Sequence, residues 1–145
     1  MARYTHVIDA KGRMVLPAKL RETMGKILYI THSLDRGFLV LYSAHNFASV
    51  RDQLEALPGT DPIARRLRRE IIGEALMVTA DGQGRLAFSQ ELWDYIEVNP
   101  GDSECLIDMG SRVQICGLAL HKASLEEEPP LDELVLDQYE IKGIL

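Results

Sequence analysis

Short apolar runs alternate with turn-forming residues along the whole chain, and their spacing predicts its elements. Tyr4–Ile8 reads as a short strand. Asp9-Ala10-Lys11-Gly12 carries Asp first and Gly fourth, the preferred pattern of a type I β-turn, and Arg13–Leu16 follows as a second strand. Pro17 suits the first turn of a helix; Leu20 and Met24, four apart, share one of its faces, and Gly25 closes it. Leu28–Thr31 and Phe38–Tyr42 flank Ser33-Leu34-Asp35-Arg36-Gly37 and read as a hairpin. Phe47, Val50, Leu54 and Leu57 recur at helical spacing until Pro58-Gly59. Asp61 as N-cap and Pro62 at the first helical position then open a helix. Ile63, Leu67 and Ile71 should form its buried face, with Arg65, Arg66, Arg68 and Arg69 around the rest and Gly73 at its end.

The same order then returns. A strand at Ala75–Thr79, a turn at Asp81–Gly84, a strand at Arg85–Phe88 and a helix from near Ser89 precede a second hairpin, Cys105–Asp108 and Arg112–Cys116 around Met109-Gly110-Ser111. Asp9-Ala10-Lys11-Gly12-Arg13 reappears as Asp81-Gly82-Gln83-Gly84-Arg85, 72 residues later. A repeat of this length implies two related units, each presenting an exposed Arg just past a tight turn. The chain therefore divides into a first unit (4–50), a helical linker (51–74), a second unit (75–121) and an acidic tail (122–145). Pro129-Pro130 interrupt the tail, and a helical turn is expected near Leu134–Tyr139.

Composition adds few constraints. The 145 residues suffice for one core or two small interlocked halves. No apolar stretch approaches the roughly 18 residues of a membrane span, and the N-terminal segment has no apolar leader core. Cys105 and Cys116 are not a CxxC pair and read as buried thiols of a reducing compartment. The expected location is the cytoplasm.

Charge changes the picture more. The net charge is −6, but residues 126–145 hold seven acids and one base, so the remaining chain is balanced. Residues 1–25 carry Arg3, Lys11, Arg13, Lys19 and Arg21 against Asp9 and Glu22. Phosphate binding follows such local patches rather than whole-chain charge. Asp9 can cap backbone N–H groups and pair with Arg13 across the turn, while the guanidinium donates to phosphate or to guanine O6/N7. Lys11, at the turn tip, suits a phosphate contact. Gly12 and Gly84 serve the turn backbone. The Arg65–Arg69 cluster reads as a solvated face, a phosphate-facing patch, or a partner for acids of a neighbouring subunit. The acidic tail either solubilises the chain or masks the DNA-binding face.

Several chemistries find no support. Gly82-Gln83-Gly84 lacks the third glycine and following helix of a dinucleotide loop. His6, His32, His45 and His121 show no metal-ligand spacing, and no Ser/His/Asp arrangement has the context of a catalytic nucleophile. Trp93 and Tyr95 read as core. The expectation is a non-enzyme with no catalytic residues, metal, cofactor or small-molecule substrate.

The phrase Asp9–Ala18 with Leu20-Arg21, together with Thr31, Leu34-Asp35 and Leu39–Tyr42, resembles the first half of the MraZ family; Asp61–Gly73 is similar to the MraZ linker, and Asp81–Arg85 matches its second Asp-x-x-x-Arg motif. The resemblance covers about residues 4–120. It implies an α+β fold of two tandem AbrB-like units, intertwined into a pseudo-twofold swapped-hairpin β-barrel with flanking helices. It also implies a nucleoid-associated transcriptional regulator of the bacterial division and cell-wall gene cluster. Such a regulator binds double-stranded DNA at direct repeats upstream of its own operon, as a ring-shaped homo-oligomer. Asp9, Lys11, Arg13, Asp81 and Arg85 would then contact DNA, supported by Arg3. The second unit departs from the pattern: Ser89 replaces a usual Pro, Trp93 stands where the first unit has Arg21, and Cys116 stands where an aromatic is common. In the first unit, His32-Ser33 and Gly37 depart from it. The alternative is an AbrB-like antitoxin or protein-interaction module. The second unit and the linker helix weigh against it, because such antitoxins usually carry one unit per chain.

Overall fold

Among the described residues, 1–143, the computed structural model contains eight strands and five α-helices. The first half runs β1 (Arg3–Val7), β2 (Arg13–Val15), α1 (Ala18–Met24), β3 (Ile27–His32), β4 (Leu39–Ser43) and α2 (Ala44–Glu55). Then α3 (Pro62–Leu67) continues into a π-helical segment, Arg68–Gly73. The second half runs β5 (Leu76–Thr79), β6 (Arg85–Ala87), α4 (Gln90–Tyr95), β7 (Ser103–Asp108), β8 (Val113–Gly117) and α5 (Leu118–Glu127). The Asp61 carboxylate accepts from Ile63 N at 3.0 Å, with Pro62 beside it, which explains where α3 begins.

Six strands form one antiparallel sheet in the order β1-β7-β8-β4-β3-β5, and β2 and β6 pair separately as a two-stranded ribbon. Exchanging the strands of the two halves returns the same order read backwards, which is a pseudo-twofold relation. Each half lends its first strand to the other: β1 pairs with β7, and β5 with β3. The axis passes between β4 and β8 and between β2 and β6. The fold is therefore α+β, with two interlocked halves.

Hydrogen bonding leaves this sheet open, where a closed β-barrel is expected from the resemblance. β1 and β5 are its edges. The strands β2 and β6 are three residues long and spend their ladder on each other, so neither zips along the strand that precedes it. They form a separate layer instead.

Period-two alternation decides what each layer touches. The inner face of the sheet contributes Leu28, Ile30, Leu39, Leu41, Leu106, Val113 and Ile115 to the main core. Met14 and Leu86 of the ribbon, Leu20 of α1, and Leu92 and Trp93 of α4 close over them. Each such side chain contributes about 1.5–3 kcal/mol on full burial. The outer face meets the other helices: Tyr29 stacks on Phe47 of α2 at 4.5 Å, and Thr31 Oγ1 donates to the Ile71 carbonyl at 2.6 Å.

Four local expectations are corrected. Ile63 is 71% exposed; Ala64 and Ile71 are buried instead, with Leu67 half-buried between them, an i, i+3, i+7 face one position round the helix from the expected one. Tyr95 is not core; it lies half-exposed, stacked on His32 at 3.6 Å. Helix α5 (Leu118–Glu127) crosses the expected start of the acidic tail at 122, and its residues are half-buried or exposed, with none in the core. In the tail, the helical turn lies at Leu131–Glu133, directly after Pro130, and Leu136–Tyr139 forms a single hydrogen-bonded turn.

Candidate nucleic-acid interface

The two repeated turns are built alike. In the first, Gly12 N donates to the Asp9 carbonyl at 3.0 Å, and Asp9 N to the Arg13 carbonyl at 3.0 Å. Asp9 Oδ1 accepts from Lys11 N and Arg13 N, both at 2.9 Å, and Oδ2 accepts from Arg13 Nε at 2.7 Å. In the second, Asp81 Oδ1 accepts from Gln83 N and Arg85 N at 2.9 Å, and Oδ2 from Arg85 Nε at 2.7 Å. Gly12 and Gly84 sit at φ +73° and +77°, where a Cβ is disfavoured. The donated N–H groups keep both carboxylates ionised. The Arg85 backbone N–H is the largest influence holding Asp81 down to about 2, and Arg13 acts in the same way on Asp9.

Each Asp thus fixes the orientation of its Arg through Nε, and among the described residues the terminal guanidinium nitrogens of Arg13 and Arg85 make no hydrogen bond. The ribbon then brings the two together. Arg13 pairs in register with Ala87, and Arg85 with Val15. Met14 and Leu86 point into the core, so Arg13, Val15, Arg85 and Ala87 share the outer face. The two arginines are diagonal neighbours there, about 7–8 Å apart. Lys11 is exposed at the tip of the first turn. Arg3 lies at the opposite end of β1 from that turn, beside the Cys105 thiol, so it does not join this face.

Spacing gave Arg21 and Trp93 no role in the turns, yet both reach them. They occupy equivalent places in α1 and α4, and each reaches the turn of the other half. Trp93 Nε1 donates to the Gly12 carbonyl at 2.8 Å. The Arg21 guanidinium lies against Gly84, where any Cβ would collide with it. The second turn thereby gains a positive charge that its own tip, Gln83, lacks. The 72-residue offset that maps Arg21 onto Trp93 thus relates two side chains that serve opposite turns.

The arginine-rich helix divides its duties. Arg68 donates to the carbonyls of Leu54, Glu55 and Leu57, capping the C-terminus of α2, while Arg65, Arg66 and Arg69 stay exposed. Elsewhere, the structure brings together residues that spacing gave no reason to group. Cys105, Cys116 and His121 place their ligand atoms within 4.8 Å of one another, and burial pushes the Cys116 thiol up to about 12. Glu104 is wholly buried and both its carboxylate oxygens lack hydrogen-bond partners.

Comparison with known proteins sets this geometry in context. A family model described as "MraZ protein, putative antitoxin-like" matches residues 1–70. A protein of Desulfitobacterium hafniense named transcriptional regulator MraZ is 34% identical over 120 residues, covering 83% of this chain and 82% of the relative. One of the same name from Saccharophagus degradans is 34% identical over 141 residues, covering 92% of this chain and 94% of the relative. Among solved structures, PHS018 of Pyrococcus horikoshii matches 81% of this chain and 88% of its own, at 12% identity and a TM-score of 0.32.

Proposed function

The chain belongs to the MraZ family of transcriptional regulators, and on that premise we propose that it is a sequence-specific DNA-binding regulator that reads its operator with the β2–β6 ribbon. The observation that carries this reading is the shared outer face of the partly exposed Arg13 and Arg85, each oriented by its own Asp. A two-stranded ribbon fits the major groove, and paired guanidinium donors suit guanine O6/N7 or flanking phosphates. Lys11 and Arg21 then hold the backbone at either turn.

In this reading the exchange of first strands is the swapped-hairpin fold of AbrB-like proteins. Residues 4–50 and 75–121 are its two units, 51–74 the linker and 122–145 the tail. One ribbon makes few base contacts, so several subunits in a ring gain affinity by engaging successive direct repeats at high effective concentration. Exposed Leu34 and Ile63 support self-association: they line a groove of about 390 Å³ that also carries Arg36, Arg66 and Glu70. The target is the DNA upstream of the chain's own operon, in the division and cell-wall gene cluster, and the site of action is the nucleoid in the cytoplasm.

The test is fluorescence anisotropy on that upstream DNA and on a scrambled duplex, across a salt series, with light scattering in parallel. Preference for the upstream DNA and a mass above the monomer are expected. Equal affinity for both duplexes overturns the reading. The antitoxin-like description of the matching family model favours a second reading, in which the tail wraps a toxin. The relatives matched over 82% and 94% of their length carry the name of transcriptional regulators, which ranks that second reading lower.

A further inference from the structure

The second half holds a cluster that the ribbon does not use. Cys105 and Cys116 are direct cross-strand partners on β7 and β8, and both are wholly buried. His121 stands four residues into α5, the helix that follows β8 after Gly117. A helical side chain tilts towards the N-terminus of its helix, which carries this imidazole back over the end of β8. The two sulfurs and an imidazole nitrogen all lie within 4.8 Å of one another. We propose that Cys105, Cys116 and His121 form a binding site for Zn²⁺.

The pseudo-twofold relation supplies an independent argument. Tyr29 and Tyr42 are the cross-strand pair equivalent to Cys105 and Cys116, since Tyr29 faces Met77 on β5 as Cys105 faces Thr5 on β1. Phe47 stands four residues into α2 as His121 does in α5. In the first half these three positions make an aromatic cluster, with Phe47 stacked on Tyr29 at 4.5 Å and tilted to Tyr42 at 6.1 Å. That cluster fastens α2 to the sheet. In the second half two thiols and an imidazole, all metal-ligating groups, stand where the first half has two phenols and a phenyl ring. Helix α5 has no buried residue of its own and no side-chain N-cap. Helix α5 touches the rest of the fold through Leu120 against Gly37, but the ring packing that fastens α2 to its two strands has no counterpart at these positions, and a metal bridge from β7 and β8 to His121 fills that role.

The chemistry fits the cation. Two thiolates and a neutral imidazole suit a borderline-soft d¹⁰ ion, and two thiolates neutralise its charge in a buried place. Tetrahedral coordination at about 2.3 Å to sulfur and about 2.0 Å to nitrogen brings the donors to within roughly 3.5–3.8 Å of each other. That is a closure of about 1 Å or slightly more, within the reach of side-chain torsions. Strand alternation sends Glu104 to the opposite face of β7, so the fourth position falls to water. Binding releases the two thiol protons as Zn²⁺ takes their place.

The test uses the full chain, treated with chelator, kept under a phosphine reductant and titrated with Co²⁺ and Zn²⁺. Co²⁺ should produce a thiolate-to-metal charge-transfer band and tetrahedral d–d bands at one equivalent, and Zn²⁺ should displace it and raise the melting temperature. Cys116→Ser and His121→Phe should each weaken Zn²⁺ binding by more than the roughly 10- to 100-fold typical of outer-shell changes. His121→Phe installs the first half's own residue, so it keeps the fold testable. Absence of the charge-transfer band, or wild-type Zn²⁺ affinity in either variant, overturns the proposal.

Discussion

Trp93 and Gly12, 81 residues apart in sequence, are joined by a buried 2.8 Å hydrogen bond from the indole N–H to the glycine carbonyl. The bond ties the Asp9–Arg13 turn to the helix of the other half. Trp93 also packs against Phe88, with ring centroids 4.9 Å apart.

Removing only the bond should cost less than removing the ring. Trp93→Phe leaves a buried carbonyl without its partner and should destabilise by about 1–3 kcal/mol. Trp93→Ala opens a cavity in the core and should cost about 3–5 kcal/mol. Urea unfolding measures both, and equal losses in the two variants would contradict the role given to the indole N–H.

Arg13→Ala and Arg85→Ala should each reduce operator affinity roughly tenfold or more, from the ~1–3 kcal/mol that a bidentate base contact contributes. Because the two turns are built alike, the effects should be similar in size. Lys11→Ala should instead weaken operator and scrambled DNA alike, and reduce the slope of log K against log salt by about 1. Anisotropy across salt concentrations separates the two behaviours, with thermal melts to show that each variant remains folded.

Asp81 couples the second turn to pH. Its carboxyl is held at about 2 when folded, chiefly by the Arg85 backbone N–H, against about 3.9 unfolded. The native state therefore binds this proton more weakly. The stability that Asp81 contributes is complete above its unfolded value and is lost as pH falls from about 4 towards 2. Asp81→Asn should flatten this part of the acid unfolding curve, and a variant with the wild-type slope there would refute the assignment.

Glu104 lies opposite His6 in the sheet, but the 3.9 Å from its Oε1 to Nδ1 is too long for a hydrogen bond. Burial pushes its carboxyl up to about 8. The folded state binds this proton more tightly than the unfolded chain, so stability is full below about pH 4.3 and declines as pH rises towards 8. The equivalent position in the first half is Leu28, wholly buried in the core. In chelator-treated protein, Glu104→Leu should remove that decline and gain about 1–3 kcal/mol near pH 8. Calorimetry at several pH values checks this, and an unchanged slope would count against it.

Much of this protein is local, and the local part is legible in the sequence. Asp and Gly at the ends of each turn, Pro17 and Pro62 at helix starts, and the alternating strands of the two hairpins all act through contacts within a few residues. The duplicated Asp-x-x-Gly-Arg phrase was enough to expect two matching turns, each with an oriented Arg. Helix α5 buries none of its residues and so has no buried apolar stripe to mark it, and the helix from Pro62 turns Ala64 rather than Ile63 inward, a choice between adjacent faces that packing makes. Only the tertiary structure decided how the halves combine. Each first strand crosses to the other half, the two Arg-bearing strands pair with each other, and Arg21 and Trp93 buttress opposite turns. Cys105, Cys116 and His121 meet for the same reason, through a strand pairing and a helix that return over one another. Such pairings depend on burying the apolar faces of two units at once, which no run of neighbouring residues encodes.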